Sequence, residues 1–250
     1  MDEVNSPEQG PKQDTPKPKL PSFGERLIAV FVEPKVVFDY VAKRNDFWWP
    51  FIALSIVMIA ANLLALPTNN EGQTLIASAT GRPAPSIDAL AYVKSIIQAP
   101  IQLMIGLLIT GVLIWVVILL TTGSVSYGKA ISVAAWTAFP GTLGMLLNAI
   151  VVSAVRPEIQ SLSSMIADQM PVMHYTSLNA VIAETGPVLS MMLMTISVFY
   201  IWQLWLAFIG ARRSFNASLA GAWILVIVLL ILQLGFAALG GWGMSVVQRL

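Results

Sequence analysis

Residues 98–121 read QAPIQLMIGLLITGVLIWVVILLT and contain no acidic or basic side chain. A helix rises about 1.5 Å per residue, so a stretch of this length crosses the roughly 30 Å hydrocarbon core of a bilayer. The other stretches of similar length without charged residues or His are Phe47–Leu66, Ile131–Val155, Val188–Gly210 and Ala217–Leu239. The sequence therefore predicts an all-α integral membrane protein with five transmembrane helices, the third kinked at Pro140.

The composition of the whole chain agrees with a lipid environment. Hydrophobic residues make up 56% and charged residues 11% of the 250 residues, whereas soluble domains contain about 45–50% and about 25%. The formal net charge of +1 excludes a basic surface for nucleic acid. The absence of cysteine excludes disulfides, thiolate catalysis and sulfur metal sites. The N-terminal residues lack the apolar core of a signal peptide, so none is expected.

The distribution of basic residues predicts the orientation. With a cytoplasmic N-terminus, ten of the 14 Lys and Arg residues lie inside and four outside, as the positive-inside rule requires. If the N-terminal basic residues more than about 20 residues from the first span are left out, six basic residues lie inside and four outside. Five spans then place the C-terminus outside. Seven of the eight Trp residues lie nearer the cytoplasmic face, which fits either an interfacial aromatic belt or a recognition surface.

Residues 22–45 are expected to form two short amphipathic helices on the cytoplasmic side. Ser22 and Glu25 have the spacing of a capping box, and Pro34 both ends the first helix and suits the first turn of the second. The second helix carries apolar Val36, Val37, Tyr40 and Val41 among basic Lys35, Lys43 and Arg44. This pattern fits helices lying among lipid head groups. It fits equally a cap packed on the membrane bundle.

The remaining segments complete the domain organisation. Residues 1–21 are Pro-rich and polar, which predicts a disordered tail. Residues 46–240 form the membrane domain, in which turn-forming residues from Pro67 predict the start of an outer loop. The loop at 156–187 has helical apolar spacing, which fits a cap over the bundle mouth or a partner-binding helix. Residues 241–250 form a short C-terminal tail.

No set of residues predicts catalysis. His174 is the single histidine, and its distance in sequence from Glu158, Asp168 and Glu184 matches no metal motif. Residues 124–128, SVSYG, lack the first Gly of a nucleophile elbow, and no phosphate-binding loop is present. The spans contain no charge for a proton relay. We therefore expect no enzyme activity, no cofactor and no metal.

Several short motifs occur in a characteristic order. They are LIAVFVEP at 27–34, Phe38, FWWP at 47–50, SYGKAISVAAW at 126–136, Phe139–Pro140, WQLWLAFIG at 202–210, the pair Arg212–Arg213, and ASLAGA at 217–222. In this order the chain resembles the Yip domain family (Ypt-interacting proteins) in its bacterial form, over roughly residues 22–240. The resemblance implies five helices, a cytoplasmic N-terminus, a short outer C-terminus and a bacterial inner membrane location.

The resemblance implies little about activity. Eukaryotic relatives bind small Rab-type GTPases in vesicle traffic, but the tail here lacks their Asp-Leu-Tyr-Gly-Pro-Phe-Trp-like segment, so Rab binding is not transferred. Bacterial members have no agreed biochemical activity. The residues that match the family pattern are as well explained by structure as by a site.

Two functions fit these observations. The first is a non-enzymatic membrane adaptor or organiser that engages membrane lipid or a protein partner at the cytoplasmic face, with homo-oligomerisation open and nucleic acid excluded. The second is a permease or channel for a neutral solute, lined by Gln102, Asn148 and Gln203 with a helix break at Pro140–Gly141. The candidate interaction or family-motif residues are Pro34, Val37, Phe38, Tyr40, Val41, Trp48, Trp49, Pro50, Pro140, Gly141, Gly210, Arg212 and Arg213.

Overall fold

The computed structural model of the chain describes residues 20–155, 175–182 and 186–247. These residues form helices joined by short links. In chain order the helices are α1 (Phe23–Val32), α2 (Pro34–Lys43), α3 (Trp48–Ala79), α4 (Ala89–Thr122), α5 (Tyr127–Thr137), α6 (Phe139–Val155), a 3₁₀ turn (Leu178–Ala180), α7 (Pro187–Thr195), α8 (Val198–Ser214) and α9 (Leu219–Val247). The all-helical class predicted from the sequence is confirmed for this part of the chain.

Four helices are long and apolar enough to cross a bilayer: Trp48–Ser78, Ala89–Thr122, Tyr127–Val155 and Leu219–Val246. Their outer surfaces carry many exposed Ile, Leu, Val and Phe side chains. A soluble protein rarely leaves an apolar surface of this extent in contact with water. The bundle is therefore built for a lipid environment, as the sequence predicts.

The predicted span Val188–Gly210 is divided into α7 and α8. The break lies at Ile196, and Ser197 begins α8 by accepting a hydrogen bond from the Tyr200 backbone N–H at 3.3 Å. Hydroxyl side chains that bond to nearby backbone groups compete with a continuous helix. The spanning helix predicted here is thus broken at Ile196, and within the described residues four helical stretches are long and apolar enough to cross a bilayer, the third of them including the turn at Ala138.

The chain segment before α7 covers the break in the helix. Ser177 and Ser197 form an isolated antiparallel bridge. The Leu178 N–H donates to the Ile196 carbonyl at 3.2 Å, and the Val198 N–H donates to the Thr176 carbonyl at 3.1 Å. Backbone groups released from the helix are thus paired by protein, which is how irregular backbone is tolerated at membrane depth.

The other helix boundaries also differ from the simple hydropathy reading. The prediction of a turn from Pro67 is wrong, because α3 includes this proline and continues to Ala79. α5 and α6 are separated by a single turn residue, Ala138, directly before Phe139–Pro140. This turn agrees with the kink that the sequence predicts at Pro140. α9 continues through Val247, so most of residues 241–250 are helical.

α1 and α2 pack across one end of the bundle, which we call the cap end, and the opposite end is the distal end. The capping box is present: the Glu25 N–H donates to Ser22 Oγ, and the Ser22 N–H donates to the Glu25 carboxylate. α2 packs on α8 and α5. Val30, Val37, Phe38 and Val41 are fully buried and belong to the same hydrophobic core as α4, α5 and α8.

Candidate functional site

A buried polar cluster joins α1 to the bundle. Arg26 and Asp46 are 4% and 5% exposed, and Arg26 Nε lies 3.0 Å from Asp46 Oδ2. The indole Nε1–H of Trp136 donates to the same carboxylate oxygen at 3.1 Å. The Asp46 backbone N–H donates to Ser132 Oγ at 2.9 Å. This cluster links α1, the segment before α3, and α5.

Arg26 has further partners around the ion pair. Its NH1 group donates to the Pro21 carbonyl at 2.6 Å, and its guanidinium lies 4.0 Å from the centre of the Tyr40 ring. The Nε–H is not aligned for a hydrogen bond with a described residue, so the contact with Asp46 is an ion pair by distance. Removing one member of a buried ion pair strongly destabilises a protein, because the remaining charge is left buried without a partner. The cluster therefore fastens α1 and α2 to the cap end.

Burial raises the pKa of the Asp46 carboxyl above its ordinary value, because desolvation disfavours the charged form. The positive charge of Arg26 and the hydrogen bond from Trp136 oppose this increase without cancelling it. Asp46 is therefore a buried acid whose charge is supported by two specific neighbours.

Aromatic rings surround the cluster and close the cap end. Trp136 is fully buried and packs against Phe139 at 5.3 Å and Phe23 at 6.1 Å between ring centres. Phe31 contacts both Phe139 and Trp202 edge-on. Such pairs contribute beyond simple burial. Ring stacking and the ion pair together leave this end densely packed.

The family-motif residues of α2 and α8 lie inside this packing. Pro34, Val37, Phe38 and Val41 are buried and Tyr40 is half-buried. A Cβ on Gly210 would lie 2.7 Å from Val133 Cγ1 and 3.1 Å from the Phe38 ring, so α8 approaches α2 and α5 closely only because this residue is glycine. These motif residues form the joint between cap and bundle.

The other motif residues at the cap end are more accessible. Trp48 and Trp49 are exposed, whereas Pro50 is buried. Arg212 donates to the Ala217 carbonyl at 2.7 Å and so closes the link between α8 and α9. Arg213 lies 3.8 Å from Asp39 in an exposed ion pair.

The face of α1 that points away from the bundle is apolar. Ile28 is 68% exposed and Val32 is 76% exposed, and the two lie one turn apart on the same side of the helix. Lys35, Lys43 and Arg44 are exposed nearby on and after α2. We call Ile28, Val32, Lys35, Lys43 and Arg44 the outer cap face.

Pro140 and Gly141 lie beside a cavity of about 600 Å³ in the distal half of the bundle. Gly141 lines this cavity together with Gln102 and Gln203, whereas Pro140 is buried and does not line it. Two of the three amides assigned to a neutral-solute path are thus brought together. The third amide, Asn148, is buried and does not line this cavity.

The Arg26–Asp46 pair was not predicted from the sequence, in which Arg26 counted only as one of the ten basic residues on the cytoplasmic side. One signal could have found it: Asp46 directly precedes the apolar start of α3, where an unpaired carboxylate is costly. His174, Glu158, Asp168 and Glu184 lie outside the described residues. Within the described ranges no three His, Asp or Glu side chains are grouped to hold a metal ion.

The fold and these two regions define a polytopic α-helical membrane protein with a helical cap fixed over one end of its bundle. The Yip1 domain model matches residues 28–240, which include the second half of α1, all of α2, Asp46 of the polar cluster and the cavity. The chain therefore belongs to the Yip1 domain family, and the resemblance seen in the motif order is confirmed. The membrane protein YknW of Bacillus subtilis (strain 168) is 25% identical over 219 residues, covering 86% of this chain and 89% of that protein. No solved structure matches the chain.

Proposed function

We propose that the chain is a non-enzymatic membrane adaptor of the Yip1 family that holds a protein partner against its outer cap face, in the bacterial inner membrane. The observation that carries this proposal is the contrast between the two sides of α1. Arg26 on one side is locked to Asp46 inside the protein, while Ile28 and Val32 on the other side are exposed. A rigid, apolar and basic-rimmed face is suited to binding rather than to chemistry.

The topology we propose has five crossings with the cap end in the cytoplasm. α7 and α8 together run antiparallel along most of α9: Val188 lies against Gly241, Tyr200 Oη donates to the Leu229 carbonyl at 3.0 Å, and the tilted rings of Phe208 and Trp223 lie 5.1 Å apart between centres. Since the two short helices match the length of a spanning helix, they count as one broken crossing. The excess of basic residues at the cap end supports a cytoplasmic cap.

The surroundings of the outer cap face support a location at the membrane surface. Phe23 of α1 lies 5.9 Å from Trp49, between ring centres, at the start of α3. Tryptophan at the start of a spanning helix is typical of the head-group level. Lys35, Lys43 and Arg44 then face anionic lipid, and a partner would bind where cap and lipid surface meet.

Substitutions on the outer cap face test the proposal. The double variant Ile28→Glu and Val32→Glu changes only exposed side chains, unlike Asp at Val37 or Val41, which would disrupt the core. The matched control is Ser124→Glu with Ser126→Glu, which adds the same charge at exposed positions of the same end. Each full-length protein is purified from native membranes in mild detergent, and co-purifying proteins are quantified by mass spectrometry.

The proposal requires a near-stoichiometric partner that is retained by wild type and control and reduced at least about tenfold in the outer-face variant, as expected when an apolar anchor is lost. The same co-purifying proteins at equal amounts in all three samples would contradict it. Co-purification of an untagged copy with a tagged copy of the protein would show homo-oligomerisation.

A second candidate function has one observation in its favour. Gln102 and Gln203 line a common cavity, as a permease for a neutral solute requires. Solute flux into proteoliposomes that is abolished by Gln203→Leu would support this function. Asn148→Leu becomes a control for folding, because Asn148 does not line the cavity.

A further inference from the structure

Two open spaces meet in the distal half of the bundle. The cavity of about 600 Å³ lies among α3, α4, α6, α7, α8 and α9. A second space of about 720 Å³, which we call the vestibule, lies between the distal parts of α3 and α4 and is lined by amides such as Asn69, Gln73 and Gln98. Gln102 lines both spaces. One amide side chain thus borders both spaces.

The cavity contains amide groups that the protein leaves unpaired. Gln102, Gln203 and Gln233 line it, and none of their side chains is hydrogen-bonded to another residue in 20–155, 175–182 or 186–247. An amide at membrane depth without a partner costs free energy. Since three such groups face the same space, the cavity provides hydrogen bonds for something other than the protein itself.

One of these amides is given its position by a glycine of the family motif. A Cβ on Gly141 would lie 2.9 Å from Gln203 Oε1. The missing side chain is therefore what lets the Gln203 amide lie beside α6. This second role of the Pro140–Gly141 motif is separate from the bend of the helix.

The remainder of the cavity lining is uncharged and mostly apolar, with a few hydroxyl side chains. Met58, Met145, Met191 and Met194 contribute flexible, polarisable side chains. No Asp, Glu, Lys or Arg lines the cavity among the described residues. An ionised group would be left there without a counter-charge, which is strongly unfavourable. The lining therefore selects for an uncharged molecule that has both apolar and hydrogen-bonding parts.

The geometry also indicates the direction of entry. α4 and α9 are in contact near the cap end, where a Cβ on Gly221 would lie 3.2 Å from Thr121. Farther along, Thr110 of α4 and Gln233 of α9 both line the cavity, so the two helices are separated there. Ile109 and Phe236 at the same level are exposed on the lipid-facing surface. The fully buried Trp136 lies on the cap side. The cavity is therefore open sideways in the distal half.

From these observations we propose that the cavity binds an uncharged lipid with a hydroxyl-bearing head group, which enters from the distal leaflet between α4 and α9. Its hydroxyl groups bond to the amides of Gln203 and Gln233, and its chain lies along the methionine side chains. A volume of about 600 Å³ holds a head group and part of a chain, and it falls within the usual range of ligand sites. Binding here is independent of the outer cap face.

The test uses the full-length protein in lipid nanodiscs and a diacylglycerol that carries a photoactivatable diazirine in one acyl chain. The comparison probe is phosphatidylglycerol with the same chain, which differs in its anionic head group. Crosslinked peptides are identified and quantified by mass spectrometry. We expect diacylglycerol to label the segment Met191–Thr195 and Met145 in excess over phosphatidylglycerol.

Two variants and a matched control make the result specific. Gln203→Leu removes a hydrogen-bonding group and is expected to reduce the labelling about fivefold, the effect of one lost hydrogen bond. Gly141→Ala leaves Gln203 chemically intact and displaces its amide, so it should reduce labelling similarly. Gln73→Leu changes an exposed amide of the vestibule alone and should have no effect. Thermal unfolding midpoints near that of wild type show that the variants are folded.

Three outcomes would overturn the proposal. One is equal labelling by the two head groups, spread over lipid-facing residues outside the cavity such as Ile105 and Ile231. Another is undiminished labelling in Gln203→Leu and Gly141→Ala. The third is loss of labelling in Gln73→Leu together with saturable flux of a neutral solute, which would show that the ligand enters from water through the vestibule.

Discussion

At the cap end, the indole N–H of the fully buried Trp136 donates to Asp46, whose charge is paired with Arg26. At the distal end, the amide of Gln203 is half-buried and has no partner among the described residues. Both ends thus place polar groups in an apolar protein. The cap end satisfies them internally, whereas the distal end leaves them available.

This difference separates two kinds of polar group in a membrane protein. A satisfied, buried network makes a fold rigid and specific, and removing one member is costly. An unpaired group in an open space forms no stabilising contact within the fold and stays available to a ligand. This contrast gives the Arg26–Asp46 cluster a structural role and supports the binding role that we propose for the cavity amides.

The largest effect is expected at the ion pair of the cap end. Asp46→Ala leaves Arg26 buried without its counter-charge, which should lower the free energy of unfolding by about 3–5 kcal/mol. The matched control is Asp39→Ala, which removes an ion pair with Arg213 whose side chains are about half exposed. This control should change stability by less than about 1 kcal/mol. Unfolding in mixed micelles with increasing SDS measures both.

Equal losses of unfolding free energy in the two aspartate variants would contradict the difference between the two ends, because the buried cluster would then behave like a surface ion pair. If Asp46→Ala lowers the unfolding free energy and Arg26→Met restores it, the cost lies in the unpaired buried charge of Arg26. The double variant replaces a charge pair by apolar side chains, which is often nearly neutral.

A smaller effect is expected from adding one methyl group at matched glycines in the two regions. Gly210→Ala forces a Cβ to within 2.7 Å of the stiff side chain of Val133 and should cost about 1–3 kcal/mol. Gly106 lines the cavity and has no atom within 4 Å of an added Cβ. Gly106→Ala should therefore leave stability unchanged or raise it by up to about 1 kcal/mol through helix propensity.

The same SDS unfolding assay compares the two glycine variants. If Gly106→Ala were as destabilising as Gly210→Ala, the distal half would be packed as tightly as the cap end and would have no room for a ligand. If adding Val133→Ala restores the stability lost in Gly210→Ala, the strain lies in the contact between α5 and α8.

Much of the fold follows from hydropathy, because a charge-free run of about 20 residues has few other stable environments. The stretch at 98–121 lies wholly within α4, and the capping box at Ser22 begins α1. The break at Ile196 could not be predicted in this way. It depends on a bridge between Ser197 and Ser177, which lies in a different segment of the chain, and hydropathy averages contain no such pairing.

The candidate sites were less predictable, since they depend on distances between helices. The pattern of α2 correctly grouped Val37 and Val41, but it could not distinguish a face turned to lipid from one buried in the bundle. Gln102 and Gln203 were identified as polar residues within spans, yet only the placement of α4, α8 and α9 around one space shows that they share a cavity. Asn148 has the same chemistry and is excluded by position alone.

The smallest expected effect is the pH dependence of the cap end. Because burial raises the pKa of Asp46 above its ordinary value of 3.8, the folded protein holds this proton at pH values where the unfolded chain has released it. The stabilising contribution is therefore fully present below the ordinary pKa, and it is lost as the pH rises through the raised pKa of the folded state. The free energy of unfolding should fall over this window.

Asp46→Asn isolates this contribution, since it keeps a side-chain oxygen for Trp136 and does not titrate there. As the pH rises from about 4, the ordinary range of a carboxyl group, the unfolding free energy of wild type should fall relative to that of Asp46→Asn. A difference that stays flat would mean that Arg26 and Trp136 fully offset the desolvation of Asp46. A rise with pH would mean that they exceed it, and the cluster would then hold the charged carboxylate more strongly than water does.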